Sequence, residues 1–374
     1  MIKTFTVSNF KRIEKPISID FSKVSNYEFE RGCIKNNLIN TAVLLGKNGS
    51  GKTSVVTAMF DIVYNLTDNY VNLGNYKNYL NLVKDANEAM FKYVFVINGK
   101  DIIYTYRKSS LSSFIAEKLE IDNKTVLNYD RTINDSELYL DIPETKNLNT
   151  DLKKINISAV KYVKANSEIG DSETYKTLLG LFSFVEKMLL FWSLEDRSFI
   201  GYSTRPNLNI VGEIVARKHF KDLQRFFNEA GITTELTHKN IGGEEQLFFK
   251  FPNGKTLEFS RACSTGMSSL LLLYYWLEDI NNKEKAPSFV CIDEFDAFYH
   301  FELSKIILNK LKAADCQVLL TTQNTTLLGN DLLRPDCYFL LEDERISNLP
   351  ERTDKELRFV HNIEKLYRGG TFGL

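Results

Sequence analysis

Eight consecutive residues, Gly46-Lys47-Asn48-Gly49-Ser50-Gly51-Lys52-Thr53, satisfy G-x-x-x-x-G-K-[ST] at every fixed position, and Ser54 follows them. Glycines let a backbone curl so that successive N–H groups point inward at one anion. A helix starting just after would add its positive N-terminal end. In such a cradle the Lys52 ammonium reaches the β- and γ-phosphates of a nucleotide, and the Thr53 hydroxyl ligates Mg²⁺. The rival reading is a mobile glycine turn that happens to end in Lys-Thr. The flanks argue against it. The apolar run Thr41–Leu45 precedes the glycines, and "TSVVTAMFDIVYNL" follows with Val55, Met59, Ile62 and Val63 on one helical face. The helix is expected to begin at Gly51 or Lys52.

A phosphate cradle needs an acid to hold its metal, and "SFVCIDEFDAFYH" supplies two. Phe289 to Ile292 are apolar, and Asp293 and Glu294 emerge where the strand should end. Asp293 fits the Walker B role of holding Mg²⁺, usually through water. Glu294 suits a general base that polarises an attacking water. Two acids opening a solvated loop is the plainer alternative. A transition-metal site of Asp293, Asp296 and His300 is a third, although adjacent loop residues need not converge. Upstream, "FSRACSTGMSSLLLLYYWLEDI" places Ser264 and Gly266 at the start of an apolar helix, a second anion site. Alone that is an ordinary cap; its position before the Walker B strand gives it weight.

These groups need a frame. Residues 3–8 and 16–21 alternate like strands, and 91–98, 101–107 and 113–121 read as an antiparallel meander, with "NGKD" at 98–101 as a hairpin turn. From about 166 to 230 the period is helical, including "YKTLLGLFSFVEKMLLFWSLED", without sustained heptads. Arg217, Lys218, Lys221 and Arg225 there either contact phosphates or form a solvated helix face. Strand-like pieces return at 245–251 and 255–259, then a helix over about 266–282. "SFVCID" and "QVLLTT" are buried strands separated by the helical stretch Glu302 to Lys312, the alternation of a parallel sheet with crossover helices.

Composition narrows the class. With 47 Lys plus Arg against 48 Asp plus Glu, no bulk field favours polyanions, which neither requires nor excludes nucleic acid. The five cysteines are scattered and lack CxxC spacing, as expected for reduced thiols in a cytoplasmic protein. No apolar run approaches the roughly 18 residues needed to span a bilayer, so neither secretion nor membrane insertion is expected.

The order of phosphate loop, long intervening segment, serine-glycine helix start and "IDEFDAFYH" resembles the ABC-type ATPases related to the RecF, Rad50 and SMC heads. More closely, "NYEFERGCIKNNLINTAVLLGKNGSGKTS", "DEFDAFYHFELS", "LLRPDCYFLLED" and "HNIEKLYRGGTF" resemble the ATPase of the AbiL or RloA abortive-infection systems. The resemblance covers most of the chain and is weakest between about 130 and 240. It implies an α/β fold, an ABC-ATPase head of the P-loop NTPase type with an N-terminal mixed or antiparallel β lobe and a compact helical insertion. The corresponding division is 1–165, 166–235 and 236–374, with signature, Walker B and switch in the last part.

The same resemblance implies ATP and Mg²⁺ as cofactors and a homodimer or higher homo-oligomer with ATP at the interface. Ser264 and Gly266 of one head then contact the γ-phosphate held by the other, and Asp296 lies in the loop crossing the interface. It also implies a separate Toprim-type nuclease effector as partner. Two positions depart from the family. Gln323, in Thr321-Thr322-Gln323-Asn324, stands where a switch histidine is usual, and the signature reads Cys263-Ser264-Thr265-Gly266-Met267. The expected function is a slowly hydrolysing, dimerising ATPase that licenses or restrains an effector during phage infection, with Lys52, Glu294 and Gln323 as catalytic residues. A DNA-repair or DNA-organising ATPase is the alternative. A small-molecule P-loop kinase fits less well, because kinases need no signature helix.

Overall fold

The computed structural model describes residues 1–374 apart from 70, 72, 84, 134, 135, 154, 155, 193–198, 202–208, 283, 284 and 374. Two seven-stranded sheets organise it. The first is built around Thr41–Leu45, whose five residues are all buried. A strand covered on both faces has no use for alternation, which is why it reads as a continuous apolar run. Across this sheet the order is Phe199–Gly201, Met188–Trp192, Phe289–Asp293, Gln317–Thr322, Thr41–Leu45, Tyr338–Glu342, Arg345–Asn348. The five inner strands are parallel and the two edge strands antiparallel. Parallel strands release their following loops at one edge, and the glycine loop, the Asp293-Glu294 acids and Gln323 all emerge there.

The second sheet is antiparallel, in the order Tyr139–Leu140, Lys124–Asp130, Ser113–Ile121, Lys100–Ser110, Ala89–Ile97, Ile2–Ser8, Ile17–Asp20. The expected hairpin is present: Asn98 and Gly99 both have positive φ, 53° and 77°, the geometry of a two-residue turn matched to strand twist.

Between the sheets runs the helix that follows the glycine loop, Lys52–Met59, continuing after Phe60 as Asp61–Leu66. All its residues but Thr53 and Tyr64 are buried, and not those of one face alone, because both sheets press on it. The Phe60 ring lies 5.9 Å from that of Phe289 in the parallel sheet. From the other side Tyr93 donates to the Ala58 carbonyl at 2.9 Å, and Tyr106 donates to Asp61 Oδ1 at 2.9 Å. Asp61 also pairs with Lys108, and both side chains are fully buried.

One expectation is overturned. The helical period ends at Glu186, and Met188–Trp192 is a strand lying parallel to Phe289–Asp293, with Leu190 opposite Cys291. "MLLFW" is apolar throughout, so periodicity cannot distinguish a buried strand from a buried helical turn; its five-residue length was the better guide. This part of 166–235 therefore builds the sheet beside the Walker B strand. Beyond it, helices Ile210–Ala216 and Phe220–Glu229 and a small sheet of Glu235–Ile241, Glu244–Lys250 and Thr256–Glu258 lead to helix Thr265–Ile280. No helix among the described residues is long and apolar enough to cross a membrane.

Candidate nucleotide-binding site

The loop from Gly46 to Gly51 turns the chain from strand into helix. Gly51 caps the helix at φ 106°, a region L side chains rarely adopt. A Cβ on Gly46 would lie 2.6 Å from Ser50 Oγ and 3.0 Å from the Leu341 carbonyl oxygen, so a side chain here would have to displace both. Lys52 is buried, and its Nζ donates to the Gly46 and Lys47 carbonyls at 2.7 and 3.2 Å. The ammonium thus lies against its own loop. Burial lowers its pKa, while Glu294, Asp293 and Asp296 pull the other way. Ser50 Oγ is buried and has no hydrogen-bond partner among the described residues. A buried polar atom without a partner is costly unless a ligand engages it.

Thr53 and Asp293, the two residues expected to hold Mg²⁺, are in contact. Thr53 Oγ1 donates to Asp293 Oδ2 at 2.7 Å, joining the first turn of the helix to the end of the Walker B strand. Mg²⁺ usually takes one or two protein oxygens and completes its shell with water and phosphate, so these two atoms fit that ion. Among the described residues no cluster of three or more His, Cys, Asp and Glu could hold a metal, and His300 is engaged in capping helix Phe301–Lys312 through Nδ1. The transition-metal reading of Asp293, Asp296 and His300 is thereby set aside.

Glu294 is half-buried and its backbone has φ 50°. Burial raises the pKa of its carboxyl, as do Asp293 and Asp296, against the opposing effect of Lys52. Its N–H donates to Thr321 Oγ1 at 2.8 Å, and the same hydroxyl donates to Asp293 Oδ1. One residue further, Thr322 Oγ1 donates to Asp296 Oδ1 at 2.6 Å. Gln323 follows at the same edge, exposed and without a side-chain hydrogen bond among the described residues. Neither threonine was singled out from the sequence, because a β-branched residue at a strand end is ordinary.

Beside the loop opens a cleft of about 320 Å³, lined by Arg12, the glycine loop, Leu340 to Glu344 and Tyr367. The Arg12 guanidinium lies next to Gly49. Glu344 accepts from the Glu14 and Lys15 N–H groups, both at 3.3 Å, which ties this turn to the N-terminal segment. Arg12 and Tyr367 are also additions to the sequence reading; they meet only through the fold.

The signature residues sit apart. Ser264 is exposed and its Oγ accepts from the Met267 N–H at 3.3 Å, a plain N-cap. A Cβ on Gly266 would lie 3.2 Å from the Phe298 carbonyl oxygen, so glycine here lets the helix start close to the loop after Walker B. Among the described residues no hydrogen bond joins Ser264 or Gly266 to the glycine loop. Of the basic helix residues, Arg217 pairs with Asp279 at 2.8 Å and Arg225 with Asp222, so both are engaged within the chain.

A family model described as "AAA domain, putative AbiEii toxin, Type IV TA system" matches residues 42–329, which include the glycine loop, Ser264, Gly266, Asp293 and Glu294. The chain belongs to this AAA-domain family. No curated protein gives a significant match. Among solved structures, the SMC head domain from Thermotoga maritima is similar at 14% identity and a TM-score of 0.43, covering 93% of this chain and 97% of that one. A Smc head bound to the C-terminal domain of ScpA, from Pyrococcus furiosus, is 12% identical with a TM-score of 0.44, covering 93% and 95%. The RecF–ATP structure is 13% identical with a TM-score of 0.39, covering 93% and 99%. Within this AAA-domain chain the fold is mixed α/β, with the glycine loop, Asp293 and Glu294 at one edge of the parallel sheet.

Proposed function

We propose that this chain is an ATP-binding, slowly hydrolysing ATPase of the ABC type, whose heads close in pairs around ATP and so control an effector protein. The observation that carries the reading is the contact between Thr53 and Asp293 beside a glycine loop whose Ser50 hydroxyl has no hydrogen-bond partner among the described residues. The β- and γ-phosphates enter the loop, and Lys52 exchanges its carbonyl partners for phosphate oxygens. The inward N–H groups and the helix N-terminus add fixed positive potential. The base and ribose take the adjoining cleft, with Arg12 and Tyr367 at its walls. Mg²⁺, held by Thr53 and Asp293, would neutralise charge developing on the β- and γ-oxygens. Glu294 takes the proton of the attacking water, a task its raised pKa favours. Gln323 offers a neutral amide donor to the γ-phosphate where a histidine could also carry charge.

Ser264 and Gly266 complete the site of a second head. The exposure of Ser264, and the lack among the described residues of any hydrogen bond from either to the loop of their own chain, support a role across an interface. The effector is a Toprim-type nuclease acting in anti-phage abortive infection in the cytoplasm. The resemblance to AbiL or RloA ATPases supports this; the family description, which names a putative toxin of a type IV toxin–antitoxin system, supports the toxin–antitoxin setting alone and speaks of no nuclease. Arg217, bound to Asp279 within the chain, gives the DNA-organising alternative less to draw on, whereas Lys218, Lys221 and Arg225 are exposed.

The test is ATP-driven association. Glu294→Gln removes the base and keeps the binding groups, so ATP with Mg²⁺ should convert this variant to a stable dimer under light scattering. A variant that stays monomeric at saturating ATP would overturn the paired-head reading.

A further inference from the structure

The two consecutive threonines that end strand Gln317–Thr322 are fully buried, and each holds a different acid of the loop after the Walker B strand. Successive side chains on a strand point to opposite faces, so two neighbours cannot both reach a straight partner strand. They do so here because the chain leaves the strand at Glu294 with φ 50° and returns across the end of its neighbour, where the Phe295 N–H donates to the Thr321 carbonyl at 3.1 Å.

Thr321 is bonded in both senses. Its hydroxyl donates to Asp293 Oδ1, while Thr53 engages Oδ2, so both oxygens of the metal-holding carboxylate are oriented. Its lone pair accepts the Glu294 N–H at 2.8 Å and so supports a left-handed backbone that a non-glycine residue adopts only at a cost. Thr322 repeats the arrangement one residue on, donating to Asp296 and accepting the Asn324 N–H at 2.9 Å. Both hydroxyls are pre-aimed, since a β-branched side chain in a packed strand has few χ1 choices.

We propose that Thr321 and Thr322 are positioning residues that lock the acid loop Asp293–Asp296 to the strand end bearing Gln323. Thr321 fixes where the metal-holding carboxylate and the general base point, and Thr322 fixes the loop carrying Asp296. A displacement of the strand end when Gln323 meets the γ-phosphate is then transmitted to all three acids. This inference rests on the ATPase reading above.

The test compares Thr321→Val, nearly the same shape without the hydroxyl, with Thr321→Ser, which keeps it. Val should lower kcat about tenfold or more, the scale of one hydrogen bond to a charged group, while ATP affinity at saturating Mg²⁺ changes less than about threefold. It should also raise the Mg²⁺ concentration needed for half-maximal ATP binding, because Asp293 loses one of its two orienting donors. Ser should restore most of both. If Val prevents folding, Thr321→Ala against Thr321→Ser isolates the same hydroxyl. A Val variant with wild-type kcat and Mg²⁺ dependence, or Ala and Ser variants that behave alike, would overturn the inference. A wild type that binds Mg²⁺–ATP without turning it over instead sinks the hydrolytic reading, and the Mg²⁺ dependence still decides the role of Thr321. In a Glu294→Gln background, Thr322→Val should weaken ATP-driven association; unchanged association removes Thr322 from the device.

Discussion

Lys108→Met should unfold the protein more readily than any single change at its surface. The Lys108 Nζ is completely buried and donates to Asp61 Oδ1 at 3.0 Å, to Asp61 Oδ2 at 3.3 Å and to Asn65 Oδ1 at 2.8 Å. It also lies over the Tyr64, Tyr79, Tyr106 and Phe114 rings, at 5.0 to 5.9 Å from their centroids. Burial lowers the lysine pKa and Asp61 raises it, so the ammonium depends on that carboxylate. Methionine fills the stem but leaves Asp61 with only neutral donors, Tyr79, Tyr106 and Asn65. Removing one partner of a buried pair costs about 3–5 kcal/mol, against a total stability of about 5–15 kcal/mol. With an m-value of about 3 kcal/mol/M for urea, the midpoint should fall by roughly 1 M. Lys108→Met with Asp61→Asn should cost less than the two single changes added together, because the double variant buries no lone charge. A midpoint shift below about 0.3 M for Lys108→Met, or strict additivity, would refute the claim that this pair fastens the phosphate-loop helix to the antiparallel sheet.

Three further outcomes concern the site. Lys52→Ala should weaken ATP binding itself, since a cation on the β- and γ-phosphates acts in the ground state as well as the transition state; unchanged affinity by calorimetry would remove Lys52 from that role. Gln323→His should raise kcat by about tenfold, equivalent to about 1.4 kcal/mol, with a smaller change in affinity. Equal or slower steady-state turnover would take Gln323 out of the switch. Ser264→Arg should abolish phage protection or deregulate toxicity while the fold survives, because the residue is exposed and contributes only a cap; full protection in a plaque assay with the proposed effector co-expressed would count against the paired-head defence reading.

What could be read in advance was local. The glycine loop is a contiguous pattern whose backbone geometry follows from its own residues, and the strand before it and helix after it were found where periodicity put them. Asp293 and Glu294 were recoverable because an apolar strand ends at them. Met188–Trp192 was misread because an unbroken apolar run carries no period. The remaining participants have no local signature. Arg12 and Tyr367 approach the loop from opposite ends of the chain, and Thr321 and Thr322 acquire their roles only from the turn at Glu294. Lys108 and Asp61 lie 47 positions apart, and nothing in the sequence around either marks them as a buried pair.

The position of Thr41–Leu45 inside its sheet also governs when the site can come into being. Both its hydrogen-bonded neighbours, Gln317–Thr322 and Tyr338–Glu342, come from the far end of the chain. Gln317 clasps the start of the chain as well, accepting from the Ile2 N–H at 2.8 Å across 315 positions and donating to the Ile2 and Ile39 carbonyls. At roughly 5–20 residues per second, the ribosome needs on the order of fifteen seconds to a minute after making the glycine loop before it delivers the strands that hold it. Until then the loop hangs on an unpaired strand, and even its acid partners, Asp293 and Glu294, come only some 240 residues after it. A truncated or stalled chain thus carries the phosphate-binding sequence without its site, and the ATP binding proposed above can begin only once strand Tyr338–Glu342 has been made.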